Sequence, residues 1–550
     1  SSTQSGSGTF IGPPAPTRSL EDLEKARHDG AAAGDEVGKI VGAKRWDNED
    51  HEKLFLALNE AEKHVDDPDY AVAFMKSFVP DGLASWCKLM NNSVIDLQVE
   101  MDILRPMSRV FATATHQGAE FPPETRNILM NSRCLDTLVH HGNFEKEFAA
   151  DAARKILKDP DYYERSDGSD RVYMQLDDRR KWHEGDARLG ALKMLANNPA
   201  AATEILESYG EEGRRLIFKA LEDDDLVGRE AATVLERGLA DFPNRKLSED
   251  TLELIIKDSA EGRLDLSDHG KRAMARLLSS EEGMKRMLEV ARADATEVEG
   301  YKTSDEGFTI AAGTVQKFMG ELLDDESARA ELLKGMAAQN AIRLKQDAQA
   351  LGAKPIDDVR DSLFQLKETI KEFSELNQLI AEGVKEASNE KEANAFKSAG
   401  LNLVIGEAVK LVPGGFAGKF VLDKALETAG DEFITKKVLS GEEKKRVKAL
   451  DEDGLTDDMD RSARYLTLVA LLRDKGITDQ LVPSDSPLRK WDKDSDGHIE
   501  MPTPPLAGTK APKDWQDFSN ALHEERKRGS PIGKAVQEIE GWAEIWKSNT

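Results

Sequence analysis

The segment 356–387, IDDVRDSLFQLKETIKEFSELNQLIAEGVKEA, carries the most regular apolar pattern in the chain. Its apolar residues recur in alternating steps of three and four, which is the heptad pattern of an amphipathic helix. Asn377 falls at an a position of this seam, where a buried amide lowers stability but sets register. The series is Ile356, Val359, Leu363, Leu366, Ile370, Phe373, Asn377, Ile380 and Val384. The seam fits either a coiled-coil interface or a helix within a bundle, and the bundle is favoured.

The rest of the chain also favours helices. Ala, Leu, Glu and Lys recur in long stretches, the aromatic share is 6% and the charged share is 33%. These residues have high helix propensity, and no sustained alternating strand pattern interrupts them. Asp67-Pro68 and Asn198-Pro199 each place a side-chain acceptor at the N-cap and a proline at N1, so both predict helix starts. The predicted fold class is therefore all-α, a multi-helix bundle.

Length and charge restrict the partners of this chain. It has 550 residues, with 76 Lys and Arg against 103 Asp and Glu, for a net charge of -27. Such a charge repels phosphate backbones and anionic lipid surfaces, so we expect protein partners and no nucleic acid. The sequence does not fix the oligomeric state.

Composition shifts divide the chain into four predicted parts. Residues 1–18 form a Gly, Ser and Pro-rich disordered lead without the apolar core of a signal peptide. Helical scaffold domains follow at 19–350, and the heptad helix and an apolar helical hairpin at 351–440. A helical segment with an acidic loop occupies 441–550.

Two cysteines, Cys87 and Cys134, are too few for a disulfide framework and lack the paired spacing of a zinc site. They fit either one bridge in an exported protein or two buried thiols in helices. The two thiols are favoured. The adjacent His140 and His141 point in different directions on a helix, so we interpret them as surface or core residues rather than as a metal site.

The most specific local motif is the loop 492–500, which reads DKDSDGHIE. Carboxylates at alternate positions before a glycine are typical of an EF-hand-like calcium loop. The predicted Ca²⁺ ligands are the side chains of Asp492, Asp494 and Asp496, the carbonyl of His498, and Glu500 directly or through water. Thr503 stands where a complete loop has a bidentate Glu, and the prolines at 502, 504 and 505 oppose an exiting helix, so we expect weak binding. The alternative is an acidic turn without metal.

An apolar stretch at 401–422 has a Pro-Gly turn at its centre. It has the outline of a membrane-inserting hairpin, but each arm is too short to span a bilayer and carries charge. A buried helical hairpin is therefore favoured, and membrane contact is not. Around Lys419 the same turn departs from the phosphate-binding loop, because Pro413 replaces its first glycine and Phe420 its hydroxyl residue.

Four segments between Glu49 and Leu239 suggest a family. They are DPDYAVAF at 67–74, FVPDGL at 78–83, LVHHGNFEKEF at 138–148 and LGALKMLANNPAAA at 189–202. In content and order they resemble large all-helical actinobacterial proteins that accompany type VII (ESX, W-x-G) secretion and toxin delivery. Val79 replaces the family's usual glycine, and an N-terminal W-x-G hairpin is absent from the sequence given. The resemblance implies a helical scaffold, often secreted or fused to toxins, and supplies no catalytic residues.

The leading functional expectation follows from that resemblance. It is a non-enzymatic helical scaffold or effector component of a secretion or toxin-delivery system, secreted or at the cell surface, with a cytoplasmic location as the alternative. A membrane-active, pore-forming toxin that uses the 401–422 hairpin is the second hypothesis. A hydrolase of unknown type is the third. Enzymatic activity stays open, and a non-enzymatic protein is favoured.

Overall fold

The computed structural model is almost wholly helical, which confirms the all-α prediction. It describes residues 18–92, 100–158, 187–224, 226–239, 245–279, 283, 287, 297–298, 301–303, 309–311, 314–397, 452–502, 504–505 and 510–542. The predicted lead at 1–18 lies outside these residues apart from Arg18. The described contacts divide the chain into two compact units, Ser1–Asp241 and Phe242–Thr550.

The described part of the first unit consists of helices of 4 to 22 residues. A π turn at Glu100–Leu104 precedes the helix Arg105–Thr115, and a 3-10 turn at Gly118–Glu120 follows that helix. The helices in chain order are α1 (Leu20–Val41), α2 (Asn48–Glu62), α3 (Pro68–Phe78), α4 (Asp81–Asn92), α5 (Arg105–Thr115), α6 (Pro123–Met130), α7 (Leu135–Leu138), α8 (Lys146–Lys158), α9 (Ala187–Asn197), α10 (Pro199–Ser208), α11 (Gly210–Leu221) and α12 (Leu226–Leu239).

The second unit contains longer helices and one small sheet. Strands β1 (Glu297–Val298), β2 (Tyr301–Thr303) and β3 (Thr309–Ala311) pair antiparallel in chain order. The helices are α13 (Arg245–Ala260), α14 (Asp268–Leu278), α15 (Thr314–Leu322), α16 (Glu326–Gly352), α17 (Val359–Ser362), α18 (Phe364–Ala387), α19 (Glu452–Leu472), α20 (Lys475–Leu481), α21 (Lys513–Arg528) and α22 (Pro531–Glu540). A 3-10 turn at Pro487–Trp491 precedes the acidic loop.

Both predicted helix starts are confirmed. The Asp67 side chain accepts hydrogen bonds from the backbone N–H groups of Asp69 and Tyr70, at 3.1 and 3.3 Å. Asn198 likewise accepts from the N–H of Ala201 at 3.2 Å, and proline follows each cap at N1. These side chains satisfy N–H groups that have no partner within the helix, as the sequence predicted.

Glycines on α1 let α3 approach unusually closely. Gly30, Gly34 and Gly38 are spaced by four along α1, and α1 packs along α3. An added Cβ at Gly30 or Gly34 would lie under 3.0 Å from the carbonyl oxygen of Tyr70 or Phe74, respectively. The four-residue spacing places the glycines on one face of α1. The α1–α3 contact is therefore one of helix backbone against helix backbone.

The helix α3 carries an aromatic ladder, which we define as the side chains of Tyr70, Phe74 and Phe78. All three are buried, and their ring centroids follow one another at 6.5 and 6.2 Å. Phe78 then meets the fully buried Trp86 of α4 edge to face at 6.4 Å. The ladder forms a continuous apolar spine through the N-terminal part of the first unit.

The heptad segment is helical, but the helix starts later than the pattern predicts. Asp358 caps the short α17, and α18 begins at Phe364 rather than at Ile356. Within α18 the seam positions from Leu366 to Val384 are buried, and the helix packs against α15, α16 and α19 of its own unit. This is the arrangement of a bundle helix.

Asn377 lies within that buried seam. Its side chain is 1% exposed, and its Nδ2 donates to the carbonyl oxygen of Lys397 at 3.0 Å. Lys397 is itself 7% exposed, and burial lowers the pKa of its ammonium group. Asn377 therefore ties α18 to the chain that follows it.

Candidate functional site

The acidic loop 492–500 is anchored at its start by Trp491. This residue ends the 3-10 turn at Pro487–Trp491 and is buried. Its indole Nε1 donates to Asp514 Oδ1 at 3.2 Å, and its ring meets that of Phe518 edge to face at 5.1 Å. The loop therefore leaves from a rigid aromatic contact with α21.

Backbone N–H groups fold the loop around the first carboxylate. Asp492 accepts hydrogen bonds from the N–H groups of Asp496 and Gly497, both at 3.1 Å. Gly497 has φ +82° and Ser495 has φ +51°, so the chain reverses through the left-handed region. Asp496 accepts from the N–H of His498 at 3.0 Å, and this bond lowers the pKa of Asp496. The turn is thus built around the carboxylates of Asp492 and Asp496.

The far end of the loop is attached to α19. The N–H of Ile499 donates to the carbonyl oxygen of Leu472 at 2.9 Å, and the Ile499 side chain is fully buried. His498 places Nδ1 2.7 Å from the carbonyl oxygen of Arg473. Ile499 is therefore packed into the core, and the loop is held at both ends.

The predicted calcium ligands lie on one short loop without forming a ready-made ligand set. Asp494 and Asp496 are exposed, and Glu500 is half-buried. Across the described ranges, no three His, Cys, Asp or Glu side chains lie together in a group that would hold a metal. Thr503, at the position of the missing acidic ligand, lies outside the described residues. Calcium binding by this loop stays a prediction.

Two cationic side chains that the loop motif does not contain, Arg473 and Lys475, border the loop. Arg473 is half-buried; burial lowers its pKa, and the carboxylates of Glu500 and Asp496 oppose that shift. The Lys475 side chain lies against Gly497, where an added Cβ would be 2.9 Å from its Cγ. Both cations would repel a divalent ion placed at the loop. Arg473 follows the end of α19 and Lys475 starts α20. Both lie outside the nine-residue loop motif, so the motif could not predict them.

Cys87 and Cys134 form a disulfide that joins α4 to the start of α7. Their Cα atoms are 5.2 Å apart, a separation that a bridge readily spans, and the cysteines are 47 residues apart in sequence. The preferred prediction of two separate thiols is therefore wrong. The sequence of either segment gives no indication that the two cysteines lie close together. Only the packing of α4 beside residue 134 brings the two sulfur atoms together.

His140 lies in the packed interior, and His141 beside it is half-buried. His140 is 2% exposed, and its ring lies so close to Gly190 of α9 that an added Cβ there would be 2.9 Å from His140 Cδ2. The two rings are 5.9 Å apart. The placement of His140 agrees with the interpretation as a core histidine.

The hairpin at 401–422, on which the membrane hypothesis depends, lies outside the described residues. So does the glycine turn between Pro413 and Phe420. In the part of the chain that the structure describes, no helix is both long enough and apolar enough to cross a bilayer.

Comparison with known proteins gives no relative. No protein-family model matches the chain, and neither do the curated proteins or the solved structures searched.

Proposed function

We propose that this chain is an exported helical scaffold or effector component of a type VII-like secretion or toxin-delivery system, and that it acts through protein contacts rather than catalysis. The observation that carries the proposal is the Cys87–Cys134 disulfide. Disulfides persist in oxidising compartments and are rare in the reducing cytoplasm. The bridge therefore supports a secreted or cell-surface location over the cytoplasmic alternative.

The segments behind the family resemblance support a scaffold role. The motif at 67–83 forms α3 and the start of α4, and its aromatic residues are the ladder that packs against α1. The motif at 189–202 forms α9 and the start of α10, with most of its residues buried. Both motifs contribute to packing, which fits a structural unit that presents surfaces to partners.

Location and redox state test the proposal together. Source cells are treated with a thiol-alkylating reagent, and the chain is quantified in lysate and culture fluid, with and without the secretion ATPase. Peptide mass spectrometry then reports whether Cys87 and Cys134 are linked. We expect linked peptides in the culture fluid or at the cell surface, lost from there without the ATPase. A chain retained in the lysate with both cysteines alkylated would overturn the proposal.

We also propose that the loop 492–500 binds Ca²⁺ weakly outside the cell. The supporting observation is the chain reversal at Gly497 around Asp492, since calcium loops require such a turn at their glycine. Without a bidentate acid, and with Arg473 nearby, we expect a Kd on the order of 10⁻⁴ M or weaker. Millimolar extracellular calcium then fills the site, and cytosolic calcium does not.

Thermal unfolding of the full chain tests calcium binding. Calcium at about ten times Kd stabilises the folded chain by about 1.4 kcal/mol. The double variant Asp494→Ala, Asp496→Ala removes two exposed carboxylates, one of which also accepts the N–H of His498, and should not respond to calcium. Circular dichroism of the variant confirms that it keeps the fold. A wild-type protein that shows neither a thermal shift nor a heat of titration would identify the loop as an acidic turn.

A further inference from the structure

A cleft of about 470 Å³ opens within the second unit, between α14, α15 and the end of α18. Its volume is in the range of small-molecule sites. Six charged side chains line it, and they carry four negative and two positive charges. They are Asp265, Lys271, Lys317, Glu321, Asp324 and Glu386.

The floor of the cleft is a close crossing of α15 and α18. Gly320 lies in the cleft on α15, and an added Cβ there would be 2.9 Å from Glu386 Cγ. One turn away, a Cβ on Gly383 of α18 would lie 2.5 Å from the Cβ of Met319. Two helices in such contact cannot close further, so the floor has a fixed shape.

One carboxylate is held in place from behind. Ser259 of α13 is 1% exposed and donates its hydroxyl to Glu321 Oε2 at 2.6 Å. A buried donor of this kind fixes the carboxylate and leaves its other oxygen available. Glu321 is thus a positioned acceptor at the wall of the cleft.

The two lysines keep their charge unneutralised beside these acids. Lys271 is half-buried and Lys317 is exposed, and within the described residues neither side chain forms an ion pair or a hydrogen bond. A purely anionic ligand would be repelled by the four acids, and a purely cationic one by the two lysines. A ligand that carries both signs, with positive groups in excess, complements the lining.

We propose that this cleft binds a small zwitterion with more positive than negative groups, namely a free basic amino acid. The α-carboxylate of the ligand pairs with Lys271 and Lys317. Its two cationic groups pair with Glu321 and with Glu386 near the end of α18. Charge-assisted hydrogen bonds of this kind are the stronger ones in proteins, and the fixed floor selects a compact ligand.

Titration calorimetry of the full chain with free L-lysine tests the proposal, with cadaverine as the matched ligand that lacks the carboxylate. The double variant Lys271→Met, Lys317→Met and the single variant Glu386→Gln should each weaken L-lysine binding about tenfold, or about 1.4 kcal/mol. Lys371→Met is the control, because Lys371 is exposed on α18 and lies about 22 Å along the helix from Glu386.

The expected result is saturable binding of L-lysine, weaker binding of cadaverine, and a control variant within twofold of wild type. Absence of saturable binding by L-lysine at millimolar concentration would overturn the proposal. So would cadaverine binding as tightly as L-lysine, or cleft variants that bind as tightly as the control. Circular dichroism of each variant confirms that a loss of binding is not a loss of fold.

Discussion

Replacing Gly34 by alanine improves helix propensity and worsens packing. The structure indicates which of the two effects on the free energy of unfolding is larger. Propensity alone favours alanine by about 1 kcal/mol in a helix interior. At Gly34, however, the new Cβ would lie under 3.0 Å from the carbonyl oxygen of Phe74, which belongs to the backbone of α3 and cannot rotate away. At Gly38, on the same face of α1, the nearest atom would be the Cα of Gly82 at 3.4 Å, an ordinary contact.

The two substitutions should therefore have opposite effects on the free energy of unfolding. Overpacking costs about 1–3 kcal/mol, and a fixed backbone neighbour places Gly34→Ala near the upper end of that range. After the propensity gain, the net loss is about 2 kcal/mol. Gly38→Ala keeps most of the gain and stabilises by about 0.5–1 kcal/mol. The identical change at two neighbouring glycines thus differs by almost 3 kcal/mol.

Urea unfolding and thermal melts followed by circular dichroism measure the difference. At about 2–4 °C per kcal/mol for a unit of this size, Gly34→Ala should lower the melting temperature by about 4–8 °C and Gly38→Ala should raise it slightly. If Gly34→Ala were as stable as Gly38→Ala, the close approach of α1 to the aromatic ladder would be refuted.

Three further results are expected. Reducing the Cys87–Cys134 bridge should cost the folded state about 4 kcal/mol, because the bridge closes a loop with a sequence separation of 47; urea unfolding with and without reductant measures this, and a loss under about 1 kcal/mol would contradict it. Burial raises the pKa of Tyr70 from 10.0 to about 12, so its contribution to stability is complete below pH 10 and falls by about 2.7 kcal/mol in total as the pH rises from 10 through 12. The difference in unfolding free energy between wild type and Tyr70→Phe across that pH range should show this loss, and a constant difference would disprove it. Arg473→Met removes a cation beside the acidic loop and should tighten Ca²⁺ binding about three- to tenfold, measured by titration calorimetry. Unchanged affinity would mean that Arg473 does not compete with the ion.

Local chemistry accounts for the parts of the fold that the sequence predicts well. A cap at Asp67 or Asn198 requires only a side-chain acceptor and a proline beside it, so the sequence predicts the helix start directly. The heptad pattern likewise predicts the buried face of α18 from Leu366 onward. It misplaces the helix start because Asp358 forms a separate N-cap for the short α17, and this local signal takes precedence over the apolar repeat.

Contacts between distant segments are the part that the sequence does not predict. The glycines of α1 are visible at spacings of four, but only the structure shows that α3 lies against them. The pairing of Cys87 with Cys134 depends in the same way on how α4 packs. Arg473 beside the acidic loop is the most consequential case, because a motif read over nine residues predicts ligands and omits the neighbouring cations.

The disulfide also changes what a protease can achieve. The segment that it encloses contains the turn at Gly118–Glu120, where Glu120 is exposed and an attacking enzyme has access. A single cut there leaves the two pieces covalently joined through Cys87 and Cys134. Each piece then holds the other at high effective concentration, so the helices on either side can remain packed. A nicked molecule would therefore run as one species on a gel until reductant is added. The same cut in a molecule without the bridge would release a fragment.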